Sequence, residues 1–143
     1  MTLTKKPEIF RPVDSRRPIP LFCEGVKAGF PSPADDYIEK LLDLNELMIS
    51  HPAATFFVRA EGNSMEGAGI FSGDILVVDR SLDAISGKII IAVVNGEFTV
   101  KKLVKKNEAL FLVAESPHYS PIKITPDLDF LVWGVVTFVI HKT

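Results

Sequence analysis

The chain has one cysteine, Cys23, in 143 residues, so no internal disulfide framework can support it, and the composition fits a reducing compartment. Long apolar runs are also missing. The longest, Phe130 to Ile140, is too short to span a bilayer, and Lys5 and Lys6 are not followed by the apolar stretch of a secretory leader. A cytoplasmic location without membrane attachment is therefore expected. Histidine is scarce: His51, His118 and His141 are the whole set, and none sits where a Ser-His-Asp arrangement would need it. No metal or cofactor site is expected.

What is present is enough apolar sequence, 47% of the chain against 24% charged, to bury a single good core. The net charge of −2 hides an asymmetry. Residues 1–28 carry six basic and three acidic side chains, a balance of +3, which leaves −5 on the remaining 115 residues. A basic arm on an acidic body can dock by electrostatics, although salt screens exposed charges. The acidic body has no basic stripe, which disfavours nucleic-acid binding there.

Pro7, Pro12, Pro18 and Pro20 interrupt the first 20 residues, so an extended or disordered arm is predicted instead of a helix. Asp43-Leu44-Asn45-Glu46-Leu47 reads as a short helix, with Asp43 as N-cap, Glu46 at its third position and Pro52 closing it. Leu44, Leu47 and Met48 on one face are expected to make core or dimer contacts. From Thr55 onward the pattern turns to strands: 55–58, 75–78, 88–94, 98–104, 110–113 and 130–140 are rich in β-branched and aromatic residues. Asn95-Gly96 between two apolar runs signals a type I′ hairpin. The expectation is a compact, mostly β body with one short helix.

Two short stretches carry the chemistry. Glu61-Gly62-Asn63-Ser64-Met65 sets a serine between small residues and apolar sequence, and Thr99-Val100-Lys101-Lys102-Leu103 puts two lysines inside an apolar strand. A serine hydroxyl is a weak nucleophile until a base removes its proton. A lysine in apolar surroundings can be that base, because desolvation penalises its ammonium form. Strand alternation places Thr99, Lys101 and Leu103 on one face and Phe98, Val100, Lys102 and Val104 on the other. That alternation does not choose between the lysines, and it puts Lys102 on the more apolar side.

Gly62-Asn63-Ser64-Met65, Gly69-Ile70, Gly73-Asp74 and Glu97-Phe98-Thr99-Val100-Lys101-Lys102-Leu103 together resemble the signature of the LexA/UmuD family of self-cleaving Ser-Lys peptidases, the S24 peptidases. Ala28-Gly29-Phe30-Pro31-Ser32-Pro33 and the arm before it resemble the UmuD-type members in particular. The likeness runs from about Pro20 to the C-terminus. It departs from the closest relatives at Asn63, where aspartate is expected.

The resemblance implies a contorted β-sheet or sandwich-like domain of the LexA C-terminal and signal-peptidase type. It selects Lys101 as general base and acid, Ser64 as nucleophile, the Asn63 and Ser64 amides as oxyanion donors, and Ala28-Gly29 as the bond that is cut. The chain would divide into an arm, 1–28, and an active processed form, 29–143. Further implications are a homodimer, a RecA–single-stranded DNA filament as activator of cleavage, and a UmuC-type Y-family translesion polymerase subunit as partner of the product, in SOS mutagenesis. The Pro-broken arm cannot build the helix-turn-helix domain of a LexA-type repressor, so no sequence-specific DNA binding is expected.

Two other readings share these features. One is a non-cleaving dimerisation and partner-binding module like the C-terminal part of LexA or a phage repressor. The other is a signal-peptidase-like enzyme acting on other chains, which would require the membrane attachment this sequence does not suggest.

Overall fold

The computed structural model describes residues 2–3, 7–22 and 39–143, and Cys23 and the expected Ala28-Gly29 bond lie outside them. Contacts divide the chain into two compact units, Met1–Pro12 with His51–Thr143, and Val13–Ser50.

The larger unit is built on antiparallel strands, as the apolar runs predict. In chain order its strands are β1 (Thr2–Leu3), β2 (Ile9–Phe10), β5 (Thr55–Arg59), β6 (Ile75–Asp79), β7 (Ile89–Val94), β8 (Glu97–Lys106), β9 (Ala109–Val113), β10 (Ile122–Ile124) and β11 (Phe130–Ile140); β3 (Ile19–Phe22) and β4 (Glu39–Leu42) belong to the smaller unit. The sheet runs in the order β10, β9, β8, β7, β11, β6, β5, β2, with β1 paired to β8. The body is therefore mostly β, and the arm expected to be extended contributes short strands to it.

Asn95 and Gly96 have φ of 50° and 80°, so both central residues of the β7–β8 turn take the left-handed region that a type I′ hairpin needs. That turn sets the register Ile90↔Lys101 and Ile91↔Val100. β7 buries both faces: Ile91 and Val100 join Val58, Ala60, Met65, Ile70, Leu76 and Val78 in one core cluster, while Ile90 and Ala92 join Leu103, Leu112 and Val135 in a second. A strand with core on both sides reads as a continuous apolar run, which is the form Ile89–Val94 takes.

β11 holds the sheet together by pairing with β7 through residues 130–135 and with β6 through residues 135–140. Its register shifts once beside Trp133 and again beside Thr137, and such irregularities bend a strand and raise its twist. Gly134 lies at this crossing, where a Cβ would come within 2.5 Å of Val78 Cγ1. Any larger side chain there would have to displace a core valine.

Beside this sheet His51 Nδ1 meets Asp79 Oδ2 at 2.6 Å, and Ser81 donates to Asp79 Oδ1 through its amide at 2.8 Å and its hydroxyl at 2.6 Å. Burial pushes the Asp79 carboxyl up, but the hydrogen bonds from Ser81 and His51 outweigh it and hold the group below its ordinary value.

The smaller unit pairs β3 with β4 in an antiparallel hairpin. Its helix α1 (Leu44–Met48) begins at the predicted N-cap, Asp43, whose carboxylate accepts from the Asn45 amide at 3.4 Å. The helix stops at Met48, with Ile49 already extended, so it ends before Pro52 and the proline does not close it. The expected core contacts of this helix are absent: none of its residues is buried, and Leu44 and Leu47 are 54% and 50% exposed. Five residues make little more than one turn, too short to carry an apolar stripe onto a core.

Candidate active site

The serine turn is fastened to the sheet at both ends. After β5, the Ala60 amide donates to the Asp74 carbonyl and the Gly73 amide donates to the Ala60 carbonyl, each at 2.8 Å. Gly62 has φ 93°, a conformation costly for any side chain, and its amide donates to Ser72 Oγ at 3.2 Å. Met65 is fully buried in the first core cluster, and its carbonyl accepts from Ala68 at 3.0 Å and Ile70 at 3.2 Å as the chain passes through a short 3-10 turn. Asp74 secures the far end: its carboxylate accepts from the Phe71 amide at 2.9 Å and meets His141 Nδ1 at 2.6 Å.

Between these anchors Ser64 is wholly buried, and its Oγ has no hydrogen-bond partner among the described residues. An unpaired buried hydroxyl costs roughly 1–3 kcal/mol. Such a group is stabilised once a proton acceptor or a substrate atom reaches it. Asn63 comes just before it in the turn, with its side-chain oxygen engaged by Tyr119.

On β8 the pattern of burial separates the two lysines. Lys101 is 5% exposed, beside Thr99 and Leu103, which are also buried on the same face. Lys102 is half-buried and pairs with Glu115 at 3.4 Å. The face that looked less apolar in sequence is thus the more buried one, because Leu103 of the same strand and Ile90 and Leu112 of the two neighbouring strands cover it. Burial pushes the Lys101 ammonium below its ordinary pKa. Its Nζ donates to Thr99 Oγ1 at 2.7 Å and to the Val100 carbonyl at 3.4 Å.

The two stretches share a neighbourhood. Met65, next to Ser64, and Val100, next to Lys101, pack in one core cluster. A cavity of about 250 Å³ lies alongside, lined by Lys101, Thr99, Glu97, Tyr119 and Ile122 among others. The first half of β8 pairs with β7 on one side, while β9 takes up its other side only from Lys102 onward. Along the part that β9 leaves open, β1 is laid in register Thr2↔Thr99 and Leu3↔Phe98. This edge can therefore accept an extended peptide.

Among the described residues no group of three or more His, Cys, Asp or Glu side chains could hold a metal ion, and no helix is long and apolar enough to cross a membrane. Sequence reasoning found Ser64 and both lysines but missed Tyr119 and Glu115. Their segment, Ser116-Pro117-His118-Tyr119-Ser120-Pro121, reads only as a Pro-bounded loop.

A buried serine hydroxyl and a buried lysine of weakened proton affinity are groups that one class of hydrolytic site uses, and the comparison with known proteins points to the same class. Residues 20–137 match the Peptidase S24-like family, and the chain belongs to it. It is 51% identical to Protein ImpA of Salmonella typhimurium over 125 residues, covering 87% of this chain and 84% of that one. It is 43% identical to Protein MucA of Salmonella typhimurium over 120 residues, covering 83% and 82%. The LexA repressor of Pseudomonas chlororaphis is 34% identical over 133 residues, covering 92% of this chain and 64% of the repressor. Membership assigns the chain a peptidase kind of activity.

Proposed function

We propose that this chain is a UmuD-type SOS mutagenesis protein that cuts its own Ala28-Gly29 bond with Ser64 and Lys101. The observation that carries the reading is the burial of Lys101, which lowers its proton affinity and supplies the base that an otherwise inert serine requires. Membership of the S24 peptidases and the similarity to a LexA repressor support the same conclusion. The open edge of β8, which already carries a short strand of the chain, supports an extended segment as substrate.

In this mechanism neutral Lys101 takes the Ser64 proton as Oγ attacks the Ala28 carbonyl, and backbone amides at Asn63 and Ser64 hold the oxyanion. Collapse of the tetrahedral intermediate breaks the C–N bond, and Lys101 passes its proton to the departing Gly29 amine. Water then attacks the Ala28 ester, again with Lys101 as base, and frees Ser64.

Because the substrate belongs to the same chain or a dimer partner, the rate depends on how often the segment lies in the cleft. A RecA–single-stranded DNA filament that binds the cleavage-competent arrangement more tightly would accelerate the reaction by shifting that population, contributing no catalytic group. The product, residues 29–143 as a homodimer, would then serve a UmuC-type Y-family polymerase subunit in translesion synthesis.

Intact mass spectrometry after incubation at neutral and alkaline pH tests this reading. Fragments 1–28 and 29–143 should accumulate faster as pH rises, since the base must be deprotonated, and should be absent from Ser64→Ala and Lys101→Ala. A chain that stays intact even with RecA, single-stranded DNA and a nucleoside triphosphate would instead indicate a binding module.

A further inference from the structure

Tyr119 lies 56 positions after Asn63 in sequence, yet its hydroxyl donates to Asn63 Oδ1 at 3.0 Å. The same ring lines the cavity that Lys101 and Thr99 line. Tyr119 thus touches both the serine turn and the space in front of the lysine. A second bond from the same loop reaches the turn on the other side of Ser64, where the Gly67 amide donates to the Glu115 carbonyl at 2.9 Å. The approach is close enough that a Cβ at Gly67 would lie 2.5 Å from that oxygen.

These contacts close a mechanical circuit. Lys101 is carried by β8, and β8 is paired with β9. β9 runs into the loop that begins at Ala114, and Glu115 of that loop pairs with Lys102 back on β8. The loop then returns through Glu115 and Tyr119 to the two flanks of Ser64. The opposite side of the serine turn is held separately, by Ser72 and Asp74. Releasing Tyr119 would free the Asn63 side chain, leave the turn's hydrogen bond to this loop at Gly67 alone, and let the Asn63–Ser64 end of the turn shift against β8.

We infer that Tyr119 is a positioning residue, holding Asn63 so that Ser64 and its neighbouring amides stay aligned with Lys101. The inference rests on the peptidase reading given above. Displacements of about an ångström in a reacting pair are enough to slow a reaction by on the order of a hundredfold, so a single hydrogen bond can matter well beyond its small share of stability.

The test is a double-mutant cycle on the rate of self-cleavage in the full chain. Tyr119→Phe should slow cleavage about tenfold, equivalent to about 1.4 kcal/mol in the barrier. The rate should fall at every pH, with no movement of the midpoint at which it rises and no change in melting temperature. In an Asn63→Ala background the same substitution should cost almost nothing further. In an Asn63→Asp background, whose carboxylate can accept the same bond, the tenfold penalty should return. Amide exchange at residues 62–67, measured in the uncleavable Ser64→Ala chain, should quicken when Tyr119→Phe is added.

A wild-type chain that cleaves, beside a Tyr119→Phe chain that cleaves equally fast, would overturn this inference alone. Equal penalties in all three Asn63 backgrounds would also overturn it, since they would mean that Tyr119 acts by another route. A wild-type chain that never cleaves would remove the peptidase reading and this inference with it.

Discussion

The two compact units of this chain are held together by different forces. The body, with residues 51–143 at its centre, buries Ile70, Leu76, Val78, Ile90, Ile91 and Leu112 completely. The 13–50 unit shows nothing of the kind among its described side chains. There Asn45 Nδ2 donates to the Ser15 carbonyl at 2.7 Å, Asp43 caps a five-residue helix, and Arg16 meets Glu46 at 3.5 Å with both side chains well exposed. An exposed pair of that sort stabilises by less than about 1 kcal/mol. A fully buried leucine or isoleucine stabilises by several times as much. The body is therefore able to keep a desolvated lysine in place, whereas the described contacts of the 13–50 unit are polar and partly exposed.

Core truncation should break this contrast most visibly. Leu76→Ala should lower the stability of the body by about 2–5 kcal/mol. Leu47→Ala, on a helix with no buried residue, should change it by less than about 0.5 kcal/mol. Urea unfolding followed by the fluorescence of Trp133 measures both, and similar losses would contradict the division.

A smaller effect should come from the buried charge. Lys101 has its proton affinity lowered in the folded state, so between its folded and unfolded pKa values the unfolded chain binds more protons and stability rises with pH. Lys101→Met should remove that penalty. It should stabilise the body at neutral pH, and the gain should shrink as pH approaches the ordinary lysine value of 10.5. Lys102→Met removes a half-buried ion pair with Glu115 instead and should not stabilise the body. Thermal melts of the three chains across the alkaline range decide the matter.

The smallest expected effect is confined to the 13–50 unit. Asp43→Ala removes the cap of α1 and should cost about 1 kcal/mol locally. Amide exchange should quicken within residues 44–49 while the body's strands remain as protected as before. Equal loosening of β6 or β7 in that variant would contradict an effect confined to residues 44–49.

Much of the fold was legible because its signals are local. β-branched runs, Asn95-Gly96 and an Asp43 cap act through residues a few positions apart, and the observed limits of the expected strands and helix fall within one or two residues of those expected. The short strands β1, β2, β3, β4 and β10 were not foreseen, because two to four residues leave no periodicity to detect. Of the core or dimer contacts expected for the apolar face of α1, the core contacts failed for the opposite reason. Its pattern is present, but the helix is too short for the pattern to reach a core.

Sequence by itself determined the chemistry on offer: a serine in a small-residue turn, two lysines in an apolar strand, no second cysteine and no histidine set for a triad. Residue types and short spacings are covalent facts, so they could be read directly. Only the tertiary structure decided which lysine is desolvated, because burial is a property of neighbours. Ile90 opposite Lys101, with Leu103 and Leu112 beside it, covers one face of β8, while Lys102 on the other face stays half-buried and pairs with Glu115. The same holds for Tyr119, whose hydroxyl reaches Asn63 only because β9 and the loop after it return the chain to the serine turn. Contacts between residues so far apart depend on the whole set of strand pairings, and no single stretch of sequence contains them.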